Sequence, residues 1–326
     1  LIGSLRWTAL ATSLLVLLQG GCAVLSGTAE PTPLSELLPL SVELAAVPFF
    51  AQEVHECGPA ALAEILIRAG VETSPEALAD EVYLPGRQGS LSTEIVASVR
   101  HHGRLPERLP ARLSAVFNAV AAGRPVLVLQ NLGLEMLPRW HYAVVIGYDL
   151  GRREVLLRSG LEARQAMPIF TFEQTWLRGG GFALTALRPG EMPLATGVES
   201  WLRTLAQSGA PLVAWEAAVR RWPGSAAAGF GLANARLAQA EPDLPGAERA
   251  LRAALSAEPD FLPGYNNLAL VLARQGNWAE ARKWLDLGIV RLDAAKADPQ
   301  VSVLRAQFED TRKQVLAGRI NPPAGR

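Results

Sequence analysis

The sequence predicts an α+β domain followed by an all-α array of helical repeats, and three observations carry that prediction. Between residues 57 and 187, segments with helical periodicity come first and strand-like segments follow. From about residue 195 the strand patterns stop and an Ala/Leu-rich helical pattern takes over. Inside that second stretch, Leu232-Ala233 and Leu268-Ala269 echo each other 36 residues apart. A chain of 326 residues is long enough to bury two such cores.

Composition narrows the functions open to the chain. Its 31 Lys and Arg balance 31 Asp and Glu. A polyanion partner requires clustered positive charge, so nucleic acid is not expected. No G-x-x-x-x-G-K-[ST] loop occurs, which argues against a nucleotide site. Two cysteines and four histidines supply too few ligands for a structural zinc site, and no metal or other cofactor is expected.

The elements follow in chain order. Arg6 is the single charge before Glu30, and the apolar run Trp7 to Leu18 leads into Gln19-Gly20-Gly21-Cys22. A positive start, an apolar middle and small residues at the end read as a signal peptide over residues 1–21. With a cysteine directly after the glycine pair, the stretch resembles a bacterial lipoprotein signal. That resemblance implies cleavage before Cys22, lipidation of its thiol, and a chain held to a membrane of the bacterial cell envelope, on the periplasmic side. Simple secretion and an uncleaved anchor are the alternatives, since Trp7 to Ala29 is free of charge and nearly long enough to span a bilayer. Residues 22–45, interrupted by Pro31, Pro33 and Pro39, read as a lipid-anchored tether.

The α+β domain is expected over residues 46–190. Its first helix opens at Cys57-Gly58-Pro59-Ala60-Ala61-Leu62 and stops at Gly70, with Pro near the start and Gly past the end. Cys57 thus stands at a helix N-terminus, where unpaired N–H groups and the helix dipole favour a thiolate. Ser74-Pro75 starts a short helix over 76–82, and Tyr83 to Ser90 reads as loop. Ser92 is the expected N-cap of a helix that closes at His101-His102 before Gly103. A further helix, Leu113 to Ala122, ends at Gly123; strands are expected at 126–129, 142–149, 154–158 and 182–187.

Elimination then selects one histidine as a general base. His55 lies two residues before Cys57, too close for in-line proton abstraction, and His101 and His102 are helix-end residues. His141 remains, heading the β-prone run Tyr142-Ala143-Val144-Val145-Ile146-Gly147-Tyr148. Trp140 before it is either a wall of the site or core.

Gln52, the Cys57-Gly58-Pro59-Ala60-Ala61-Leu62 helix start and His141 at the head of an apolar strand together resemble the papain-like cysteine peptidases of the bacteriocin-processing, double-glycine-leader type. The resemblance implies a papain-like fold, with Cys57 as nucleophile, His141 as base and Gln52 donating into an oxyanion hole. It also implies an Asp or Asn on the strand after the histidine to orient the imidazole. Here that place falls on Arg158-Ser159-Gly160, and Ser159 is the residue able to accept from the ring. Asp149, Gln130 and Asn131 are the other candidates, with Asp149 also readable as a turn residue.

Residues 195–320 form the second region. Each Leu-Ala pair is followed by a turn and then by Ala247, Leu251, Ala254 and Pro259 or by Ala281, Leu285 and Gly288. Trp215, Ala218 and Pro223 fit the same frame as an upstream half repeat. This resembles tetratricopeptide repeats, and the resemblance implies a solenoid with a groove for a protein partner, capped by a helix over 300–317. Tyr265, Asn266 and Asn267 are candidates for that groove or for packing.

The function expected from these readings is a cell-envelope lipoprotein thiol peptidase that acts on a peptide or protein recruited by the repeats. Two alternatives stay open: a catalytically degenerate scaffold that binds peptide, and a thiol acyltransferase or amidase acting on cell-wall peptide.

Overall fold

The computed structural model describes residues 38–51, 57–87, 89–294 and 299–318. The expected signal segment, Cys22, Gln52 and His55 lie outside the described residues.

An antiparallel sheet forms the centre of the α+β region. In chain order its strands are β1 (Ser41–Glu43), β4 (Leu105–Arg108), β5 (Val126–Asn131), β6 (Trp140–Asp149), β7 (Glu154–Ser159), β8 (Glu162–Pro168) and β9 (Ala183–Leu187). They lie in the order β4-β9-β5-β6-β7-β8, with β1 added against the far end of β6. A separate hairpin pairs β2 (Tyr83–Leu84) with β3 (Gly89–Ser90).

Strand β6 is apolar on both faces because both are covered. Tyr142, Val144 and Ile146 join Leu62, Ile65 and Leu66 of helix α1 (Cys57–Arg68) in one buried cluster, along with residues of α2 (Pro75–Val82) and α3 (Ser92–His101). Near the far end, Phe117 of α4 (Leu113–Ala121) stacks on Tyr148 with ring centroids 4.6 Å apart. Helix α5 (Ile169–Arg178) seats Phe172 and Trp176 fully inside, and the Trp176 indole N–H donates to Phe182 O at 2.8 Å. Gly147 permits the approach of β1, since a Cβ there would stand 2.5 Å from Val42 O.

Three local readings are corrected. Residues Ser41–Glu43, expected within the tether, are a strand of the sheet. The Tyr83 to Ser90 stretch, read as loop, contains the β2–β3 hairpin. Ser92 is the first residue of its helix and makes no cap; Leu91 holds the cap position, and Ser92 Oγ instead meets Tyr142 Oη at 3.2 Å. Strands β4 and β8 and helix α5 were not anticipated. Ser74 caps α2 as expected, accepting from Ala77 N at 3.3 Å.

From Val198 onward the described chain is all-helical: α6 (Val198–Gln207), α7 (Leu212–Arg221), α8 (Ala226–Leu237), α9 (Leu244–Ala257), α10 (Leu262–Arg274), α11 (Trp278–Ala294) and α12 (Pro299–Leu316). Small residues set the crossings between these helices. A Cβ on Gly231 would stand 1.9 Å from the Trp215 ring, and one on Gly288 would stand 2.5 Å from Phe308. Tyr265 and Asn266 are buried, so they serve packing; Asn267 Nδ2 reaches across to Asn234 Oδ1 at 2.9 Å.

The two regions share a seam. Leu105 and Leu187 of the sheet pack with Trp201, Leu205 and Trp215 in one cluster. Beside them the buried Glu107 carboxylate accepts from Leu194 N at 2.8 Å and Ala195 N at 2.9 Å, and lies 3.5 Å from Arg124, which itself donates to Met192 O.

Candidate active site

The start of α1 and the start of β6 meet. Cys57 is half-buried, and the backbone N–H groups of Tyr142, Cys57 and Gly58 face its sulfur. Gly58 has to lack a side chain, because a Cβ there would stand 2.1 Å from Ser90 Oγ. That contact seats the β2–β3 hairpin directly on the helix start.

His141 stands on β6, one residue before Tyr142. Its Nε2 lies 2.9 Å from Ser159 Oγ at the end of β7. Ser159 is buried, which holds its hydroxyl toward the ring. The remaining candidates for orienting the imidazole have other partners. Gln130 pairs with His141 across β5 and β6, but its Nε2 donates to Thr175 Oγ1 at 2.7 Å. Asn131 Oδ1 accepts from Gly133 N at 3.0 Å and Arg139 N at 2.9 Å. Asp149 closes the β6–β7 turn by accepting from Arg152 N at 2.9 Å. His102 pairs with Glu81 at 3.1 Å, as suits a helix-end residue.

The electrostatics depart from expectation at the sulfur. Burial raises the Cys57 thiol above its ordinary value, and the three facing N–H groups offset only part of that effect. Burial and the charge of Arg139 both lower His141. Each shift disfavours the charged form of its group, so at neutral pH the thiol and the imidazole are both favoured in their neutral forms. The helix N-terminus is present, but the apolar surroundings of the sulfur outweigh it.

Two further residues of this region, Tyr142 and Arg108, were not singled out from the sequence. Tyr142 donates to Ser90 O at 3.3 Å, and burial pushes its hydroxyl up to about 12, so it remains a donor throughout the neutral range. Arg108 lies over the Phe182 ring at 4.1 Å, and Phe182 meets Tyr142 edge to face. Trp140 is 56 % exposed and is therefore not core. It ends a loop that Asn131 holds in shape while Leu134, Met136 and Leu137 point to solvent. Tyr142 was legible only as an apolar strand residue, because its polar end acts on partners distant in sequence.

Among the described residues no cluster of His, Cys, Asp or Glu has the composition to hold a metal ion. The site offers a thiol, an imidazole, two hydroxyls and backbone donors, a set suited to acyl transfer.

Residues 44–184 match the Peptidase_C39 like family. A solved structure described as a C39-like peptidase from Bacillus anthracis is 20% identical, over 45% of this chain and 98% of that chain, at a TM-score of 0.39. No curated protein matches. The family match supports a cysteine-peptidase reading of the α+β region, which contains both Cys57 and His141.

Proposed function

Proceeding from that family match, we propose that the chain is a thiol peptidase with a papain-like arrangement of Cys57, His141 and Ser159. The observation that carries the reading is the 2.9 Å contact between Ser159 Oγ and His141 Nε2, on the strand that follows the histidine strand. With Nε2–H donating to Ser159, Nδ1 is the nitrogen left with a lone pair. As Cys57 attacks a substrate carbonyl, its proton passes to Nδ1, and the imidazolium then returns it to the leaving amine. Water repeats the sequence on the acyl-enzyme. The N–H groups that face the sulfur, with Gln52 as the side-chain donor, stabilise the developing oxyanion.

The finer parts of the proposal rest on sequence. They are the double-glycine-leader type, a lipid anchor at Cys22 in the cell envelope, and a tetratricopeptide-like array that recruits a protein substrate. A groove of about 460 Å³ lined by Leu205, Trp215, Phe230, Gly231 and Asn234 supports the last.

One second reading has an observation behind it. Among the described residues no carboxylate orients the imidazole, and the thiol is raised, which also suits a degenerate domain that only binds peptide.

The test is digestion of a peptide mixture by the detergent-solubilised full chain, followed by mass spectrometry, with Cys57→Ala and His141→Ala as controls. Cleavage lost in both variants is the expected result. Intact peptides and an unacylated Cys57 would leave the scaffold, whereas transfer to added amines would leave the transferase. Mass analysis of membrane-extracted protein should show a diacylated Cys22; an unmodified Cys22 would remove the anchor.

A further inference from the structure

Glu64 lies on α1 two turns after Cys57 and is 0% exposed. Its Oε1 accepts the Phe50 N–H at 3.3 Å. Arg158, the neighbour of Ser159 on β7, points into the same region and acts on Glu64 electrostatically. Its guanidinium donates to Ala45 O at 3.2 Å and Val47 O at 2.8 Å, and also to Ala163 O. The segment 45–50 is thus gripped from two sides. One grip comes from the helix that carries Cys57, the other from the strand that carries Ser159.

Burying an acid is costly, and an apolar residue of equal volume at position 64 would pack there at lower cost. What the polar pair adds is direction: one N–H and two carbonyls of the segment are fixed in orientation. The chain leaves this segment at Ala51 toward Gln52.

We propose that Glu64 and Arg158 are positioning residues for the reaction, locking segment 45–50 to the elements that bear Cys57 and Ser159. The inference rests on the peptidase reading above. Burial pushes Glu64 up to about 8, so near pH 7 it is a neutral acceptor, and Glu64→Gln preserves the acceptor while Glu64→Leu deletes it.

The experiment uses the full chain with Glu64→Leu, Glu64→Gln and Arg158→Met. Two probes act on Cys57. Iodoacetamide alkylates the sulfur without forming an oxyanion, whereas p-nitrophenyl acetate acylates it through one. Amide hydrogen exchange over residues 44–51 is followed in parallel. We expect Glu64→Leu and Arg158→Met to slow acylation on the order of tenfold to a hundredfold, the scale of an ångström-sized misplacement. Alkylation should stay within about threefold, as for a nucleophile left in place. Phe50 exchange should rise, and Glu64→Gln should restore both acylation and protection. Wild-type acylation in the Leu and Met variants, or alkylation falling in step with acylation, overturns the proposal. So does unchanged exchange at Phe50, which stands apart from turnover. Absence of Cys57-dependent acylation in the wild type instead overturns the peptidase reading on which the proposal rests.

Discussion

Ser159 Oγ stands 2.9 Å from His141 Nε2, so a neutral hydroxyl holds the imidazole at the position where the family resemblance implies Asp or Asn. A hydroxyl fixes the ring orientation but contributes no charge to stabilise an imidazolium. Ser159→Ala should therefore cost kcat about threefold to tenfold, the weight of one neutral hydrogen bond. Ser159→Asp should raise the His141 pKa through the added negative charge. Steady-state kinetics and an NMR titration of His141 check the two; an unchanged kcat in Ser159→Ala would show that the contact is idle.

Cys57 reactivity should follow the raised thiol. Because burial lifts its pKa above 9.0, the alkylation rate with iodoacetamide should climb through the alkaline range, with no plateau at neutral pH. His141→Ala should leave that limb in place while abolishing acylation near neutrality, where the base is required. A plateau below about pH 7, as in a low-pKa thiol, would instead mean a resting thiolate–imidazolium pair.

Glu64 should make stability depend on pH with a definite sign. Its carboxyl titrates at about 8 in the fold and ordinarily at 4.5. Between those values the unfolded chain releases a proton that the folded chain keeps. Stability therefore falls as pH rises from 4.5 to about 8, and this contribution levels off above. Glu64→Gln has no such proton. Urea unfolding at several pH values should show the variant gaining on the wild type across that window, on the order of a few kcal/mol in total. Parallel curves would contradict a buried, neutral carboxyl.

Glu107→Ala should loosen the seam between the sheet and the helices. It strips the Leu194 and Ala195 backbone N–H groups of their acceptor and leaves Arg124 without its carboxylate. The expected loss is about 3 kcal/mol. Limited proteolysis between residues 188 and 197 should accelerate. Wild-type resistance in that stretch would show that the apolar cluster around Trp201 and Trp215 suffices.

The legible parts of the fold are those whose signals are local. Helix α1 could be read from Pro59 and Gly70, and β6 from the apolar, β-prone run Tyr142 to Tyr148. Strand β8 could not, because Glu162–Pro168 lies at the sheet edge with no buried position, and polar Glu162, Arg164 and Gln165 give it no clear apolar face. Strand β4 places Pro106 and buried Glu107 in a four-residue strand, against strand propensity. The β2–β3 hairpin is hidden by Pro85, Gly86 and Gly89, which read as loop. At the site, Cys57 and His141 stood out by position and Ser159 by analogy. Glu64 did not, since a glutamate within a helix ordinarily reads as solvent face.

A last consequence concerns β1. Its three residues pair with Gly147–Asp149, and His141 lies about 20 to 26 Å away along the same strand at roughly 3.3 Å per residue. A mechanical load pulling on the chain upstream of Ser41 would meet the Leu150 N to Leu40 O bond, then those three pairs and the Glu43–Arg164 ion pair. They form a fuse: β1 can peel away under tension while the imidazole end of β6 keeps its register with β5.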